Sequence, residues 1–118
     1  MDKKIVRFSV SLSIADGKLE AFEKLAEAML AATRSNPGAL GFDWYLSGDR
    51  RHCRLLETYA NADAVVAQMS GPVVHEFVPK VLAVATLNSF EVHGDPGPRA
   101  SAMLAGFGAV IFAPWHVL

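Results

Sequence analysis

An α+β fold is predicted by two observations: strict alternation of apolar and polar residues in the first strand, and a strand, helix, strand pattern that occurs twice. Val6, Phe8, Val10, Leu12 and Ile14 point one way while Arg7, Ser9, Ser11 and Ser13 point the other, the period of a strand with one packed face. The two units have equal length, residues 5–46 and 52–93. Two such units in succession specify the ferredoxin-like, split βαβ arrangement: a four-stranded antiparallel sheet with both helices on one face.

Each element has its own signal. Asp16 stands where a helix cap belongs, and Leu19, Phe22, Ala26, Met29, Leu30 and Thr33 form an apolar stripe beside a Glu20–Lys24 pair at i,i+4. Asn36-Pro37-Gly38 ends that helix. In the second strand Leu40, Phe42, Trp44 and Leu46 share a face, and Ser47-Gly48-Asp49 makes the turn. The third strand runs from His52 to Ala60, with Cys53, Leu55, Glu57 and Tyr59 on one face and Arg54, Leu56 and Thr58 on the other. Asn61 is the cap expected for a short helix over 62–69, and Gly71-Pro72 restarts helical structure in which Val74, Phe77, Val78, Val81, Leu82 and Ala85 share a face. The fourth strand, Thr86 to His93, is expected to turn Asn88, Phe90 and Val92 to one side, and the Gly94-Asp95-Pro96-Gly97-Pro98 run ends it.

Composition sets the boundaries of function. The chain has 118 residues, 52% apolar, and a net charge of -1; 17 of its 23 charged residues fall within 1–57, and none follows Arg99. This divides it into a domain over 1–94 and an apolar extension over 95–118, expected to form a helix and then an arm packed on a pocket or on a dimer partner. A sheet with helices on one face leaves the other bare, and pairing two sheets in a homodimer would cover it. No basic patch suits nucleic acid; Arg50, Arg51 and Arg54 read either as a solvated edge or as a phosphate contact. Ser101, Gly106, Gly108, Pro114 and His116 argue against a membrane span in the extension. Arg7 and the alternating serines interrupt any leader-like segment after Lys3 and Lys4, and the one cysteine, Cys53, suits a reducing compartment, so the expected location is cytoplasmic.

The chain has no phosphate loop, nucleophile elbow, CxxC or HExxH, and the four histidines stand too far apart in sequence to seed a metal site. His75 lies at the rim of the second-half helix face, about 80° from its centre on a regular wheel. It reads as a general base or ligand donor facing a cavity, or as a solvated boundary residue. Phe42, Trp44, Tyr59 and Phe77 suit either a flat apolar substrate or a plain core. Gln68 and Asn88 could orient ligand oxygens or satisfy backbone groups. Glu57, between Leu55 and Tyr59, needs a partner, for which Arg7 or Arg54 is the expected ion pair, with a catalytic role as the other reading.

The segment Leu55-Leu56-Glu57-Thr58-Tyr59, continuing through Asn61-Ala62-Asp63-Ala64 and Gly71-Pro72 to Phe77, resembles the antibiotic biosynthesis monooxygenase family. The upstream run from Thr33 to Phe42 resembles that family's helix end and glycine-containing second strand. The resemblance implies a dimeric α/β barrel with a pocket between sheet and helices in each subunit. It implies cofactor-independent oxygenation of a quinol-like or aromatic polyketide substrate, with molecular oxygen as co-substrate and no metal. In an enzyme of that kind His75, from its place on the helix and not from the resemblance, would be the base or a hydrogen-bond partner, Gln68 and Asn88 would orient oxygen atoms, and Phe42, Trp44, Tyr59 and Phe77 would hold the substrate. Gln68 and Val73 stand where quinol-oxidising members carry histidines. The same fold allows two alternatives: a non-catalytic dimer that binds an apolar small molecule, and a haem-binding or haem-degrading relative.

Overall fold

The structure, a computed structural model, describes residues 4–118. Strand β1 (Val6–Ile14) forms the centre of the sheet, paired antiparallel with β3 (His52–Tyr59) on one side and β4 (Ala85–His93) on the other. Strand β2 (Ala39–Leu46) lies outside β3. The alternation in β1 does what its period requires: all five apolar side chains from Val6 to Ile14 are buried against the helices, and the serines and Arg7 take the open face.

Helix α1 (Leu19–Thr33) buries Phe22, Met29 and Thr33 and carries the Glu20–Lys24 pair at 3.6 Å. Its expected cap is corrected. Lys18 occupies the cap position without a side-chain bond, and Asp16 turns outward to Arg51 at 3.6 Å. Helix α2 (Ala62–Met69) starts as expected, with the Asn61 side chain accepting the Ala64 N–H at 2.9 Å. A π turn over Val73–Phe77 then runs into the short helix α3 (Val78–Leu82). In the turn the Val78 N–H bonds to the Val73 carbonyl, five residues back.

Two bulges change which side chains meet the core. Between β2 and β3 the register slips at Ala39/Gly41, so Leu40 is the extra residue and is 60% exposed rather than packed with Phe42. The second lies between β1 and β4 at Ser11/Leu12. The segment after β4 forms helix α4 (Gly97–Ala105), which packs on α2, and strand β5 (Val110–Phe112). β5 pairs parallel with β4, so the sheet has five strands in the order β2-β3-β1-β4-β5 rather than the four expected. The class is nonetheless the predicted α+β, ferredoxin-like one. Among the described residues no helix is long and apolar enough to cross a membrane.

The helix-stopping Asn36-Pro37-Gly38 run is also a packing point. Asn36 donates to the Ala64 carbonyl at 3.0 Å and accepts the Gly38 N–H at 3.2 Å, and a Cβ on Gly38 would overlap that of Ala64. Gly38→Ala is therefore expected to push α2 off β2 and cost about 1 to 3 kcal/mol. Urea unfolding measures this, and a loss under about 0.5 kcal/mol would show that the contact yields freely.

Candidate active site

Between the sheet and the helical layer lies a cavity of about 80 Å³. Its walls are apolar, with Phe8 and Val10 from β1, Phe42 and Trp44 from β2, and Met69 and Val73 from the helical side. Among the described residues that line it, Glu57 is the only titratable one. Strand parity puts it there: it faces the helices with Cys53, Leu55 and Tyr59. Its cross-strand neighbours are Phe8 on β1 and Phe42 on β2.

The expected ion pair of Glu57 with Arg7 or Arg54 is corrected by the same parity. Arg54 is three residues along β3 and Arg7 pairs with Thr58, so both guanidinium groups belong to the opposite, exposed face. The Tyr59 hydroxyl donates to Glu57 instead, from two residues further along the same face. Burial pushes the Glu57 carboxyl up from 4.5 to about 7, outweighing the Tyr59 bond, which favours the charged form. The Tyr59 phenol is pushed up too, by burial and then by the neighbouring carboxyl, so it stays a donor at neutral pH. The sequence carries the signal for this pair: a Glu and a Tyr at i,i+2 in a strand whose face is otherwise apolar.

Trp44 is fixed by two edge-on ring contacts, with Phe22 at 5.7 Å and Phe42 at 5.8 Å. Its indole Nε1 is buried with no hydrogen-bond partner among the described residues, an unmet donor on a residue that lines the cavity. Gln68, also on the wall, is committed at both ends: it donates to Thr33 Oγ1 at 2.9 Å and accepts from Asn36 at 3.3 Å. Thr33 in turn donates to the Met29 carbonyl at 2.8 Å. This chain of bonds ties α2 to the end of α1.

A carboxyl raised by burial and an unpartnered indole donor thus belong to residues of one largely apolar cavity between sheet and helices. Residues 5–80 match the family model for antibiotic biosynthesis monooxygenase. The chain belongs to the antibiotic biosynthesis monooxygenase family. No curated protein matches it in sequence. Among solved structures it is similar to MupZ from Pseudomonas fluorescens, with a TM-score of 0.80 and 21% identity over 98% of this chain and 93% of that one. It is also similar to SnoaB, a cofactor-independent oxygenase from Streptomyces nogalater, with a TM-score of 0.69 and 14% identity over 80% of this chain and 96% of that one. A candidate antibiotic biosynthesis monooxygenase from Nitrosomonas europaea has the same TM-score of 0.69, at 19% identity over 83% and 96% of the two chains. The match to MupZ alone of these three extends over nearly all of this chain, so the fold it shares takes in the C-terminal extension.

Within this family member the other residues singled out by sequence fall in separate places. Phe42, Trp44 and Gln68 line the cavity, and Tyr59 stands behind Glu57. Val73 and Gln68, at the positions where the resemblance expects histidines, both line it, with an isopropyl group and an engaged amide. His75 does not reach the cavity. The π turn breaks the regular wheel used to place it, and the imidazole is exposed on a neighbouring groove with Met103 and Pro79. Phe77 is half-buried outside the cavity, with Lys80 Nζ 5.7 Å from its ring centre. Asn88 is the extra residue of the β1–β4 bulge, where Ser11 faces Ser89 and Leu12 faces Leu87. It is exposed, donates to Ser13 Oγ at 2.6 Å, and leaves Leu87 and Phe90 to face the cavity.

Among the described residues no histidine lines this cavity, and about 80 Å³ is far below what a haem macrocycle fills, so the cavity does not fit haem. Among the described residues no three His, Cys, Asp or Glu side chains gather as a metal site. Burial raises the Cys53 thiol, as for an inert strand residue.

Proposed function

We propose that this chain is a cofactor-independent monooxygenase that oxidises a phenolic or quinol-like compound with molecular oxygen, with Glu57 as general base. The observation that carries the reading is a single carboxyl, raised to about 7, in a cavity whose lining is apolar apart from the engaged Gln68 amide and the Trp44 indole. Such a group is half ionised near neutral pH and is a far stronger base than an exposed glutamate.

In this reading Glu57 takes the phenol proton while Trp44 Nε1 donates to the oxygen that becomes negative. The phenolate passes one electron to O2, and the resulting ring radical and superoxide combine in a C–O bond. Glu57 returns its proton to the peroxide anion. Loss of the hydrogen on the same ring carbon, with hydroxide leaving, forms the carbonyl and water. For a hydroquinone the sum is quinol plus O2 giving hydroxyquinone plus water, a four-electron oxidation of the ring.

Cavity size bears on the substrate class. At about 80 Å³ it is smaller than the ~150 Å³ cavity that admits benzene, so a single ring that spreads the walls slightly fits better than a fused polyketide system. The bare sheet face supports a homodimer in the same reading: Ser9, Ser11 and Ser13 lie there with Leu56, 42% exposed, and Tyr45, 56% exposed.

Oxygen uptake with substituted hydroquinones tests this. Isotopically labelled O2 should place one labelled atom in the quinone and one in water. kcat/KM should rise about tenfold per pH unit up to about 7 and then level off. Trp44→Phe should lower kcat/KM by about tenfold, the worth of one hydrogen bond to a charged oxygen. No oxygen uptake across a panel of quinols and phenols would sink the reading.

A further inference from the structure

We propose that the groove between α3 and α4 holds an aliphatic chain, so that the substrate is a phenolic or quinol head carrying an apolar tail. The inference rests on the proposed function only in naming the head. The groove has a volume of about 520 Å³, several times that of the cavity. Five residues, Met69, Val74, Val78, Leu82 and Phe107, line both spaces, so the groove abuts the cavity along a boundary made of their side chains. Met69 and Leu82 are unbranched at Cβ and can change rotamer to join the two.

The groove's chemistry selects the tail. Beyond the shared residues it adds Met103, Pro79 and His75. His75 is the one side chain there with a hydrogen-bonding group, and it is exposed. Nothing in the groove would compensate a buried polar chain, whereas two thioethers and branched aliphatics suit methylenes. The division of volume fits the same picture, with a small reactive head in the cavity and the larger part of the ligand in the groove.

The test uses the whole protein and a 4-alkylphenol series, each compound below its micelle concentration, with calorimetry under nitrogen so that no turnover occurs. Affinity should rise about threefold to fourfold for each added methylene over the first several carbons, then level off where the groove ends. Met103→Trp, which fills the groove, should abolish that dependence while leaving the affinity for unsubstituted phenol within twofold. Pro79→Glu, at an exposed position, should weaken long-chain binding without challenging the fold. Affinity independent of chain length would overturn the proposal, as would a dependence that survives both substitutions, since the chain would then lie elsewhere. Chain-length dependence without oxygen uptake in air would keep the groove and remove the oxidation. Oxidation of short phenols without chain-length dependence would do the reverse.

Discussion

Glu57→Gln is expected to abolish oxygen uptake and, above neutral pH, to make the fold more stable. Loss of a positioned general base lowers kcat by about 10² to 10⁴. Glutamine keeps the shape and can still accept the Tyr59 hydroxyl, so the effect reads the charge and not the packing. The stability effect follows from the raised carboxyl. Its native pKa, about 7, lies above the 4.5 of the free group, so between those values the native state holds a proton that the unfolded chain releases. Stability therefore falls as pH rises from about 4.5 to 7, by about 3 kcal/mol in all, and stays low above that. The amide does not titrate, and the variant should lack this slope. Urea unfolding at pH 5 and pH 8 for both proteins checks it. Activity retained within tenfold would remove Glu57 from the chemistry, and a wild-type stability flat across this range would remove the raised carboxyl.

Truncation after Arg99 is expected to unfold the protein, whereas truncation after Ala109 leaves it folded. Ala100 and Leu104 of α4 have no exposed surface, and Phe107 lies on the cavity wall, 6.5 Å from the Phe90 ring centre. The shorter chain would open the core under α2, and Leu104→Ala alone should cost about 2 to 5 kcal/mol. The strand lost when the chain ends at Ala109 contributes little by comparison: Val110, Ile111 and Phe112 are 54%, 39% and 47% exposed. Circular dichroism and thermal melts of the two truncations distinguish these outcomes. A folded, equally stable chain ending at Arg99 would contradict the part given to α4.

Period and capping make most of the fold legible in the sequence. Alternation in β1, the Asn61 cap and the twofold strand, helix, strand order all hold in the structure because each is a local pattern with one physical solution. Leu40 and Asn88 depart from their expected faces because a bulge inserts one residue into a ladder and reverses parity from there on, with no mark in a single sequence. His75 takes the second of its two expected places, exposed at the rim, and the π turn is why a regular wheel does not decide between them. The case of Glu57 differs. Alternation gives its face correctly but not its partner: a cation on the neighbouring strand must share its parity to reach it, and Arg7 does not. The C-terminal extension reads as surplus apolar residues because charge and hydropathy count side chains without saying which of them enter the core.

The π turn has a kinetic consequence as well. The wall it carries, from Pro72 to Pro79, has two residues without an amide hydrogen and replaces part of its regular ladder with the longer i→i+5 bond. Part of the wall that closes the cavity at Val73, Val74 and Val78 thus hangs on the longer bond, while the opposite wall is a sheet in which β1 and β3 are paired on both sides. The cavity has one stiff side and one yielding side. A guest larger than the resting space is expected to enter by the helical side giving way, while strand β3, which holds Glu57 and Tyr59 and is paired on both sides, keeps its geometry.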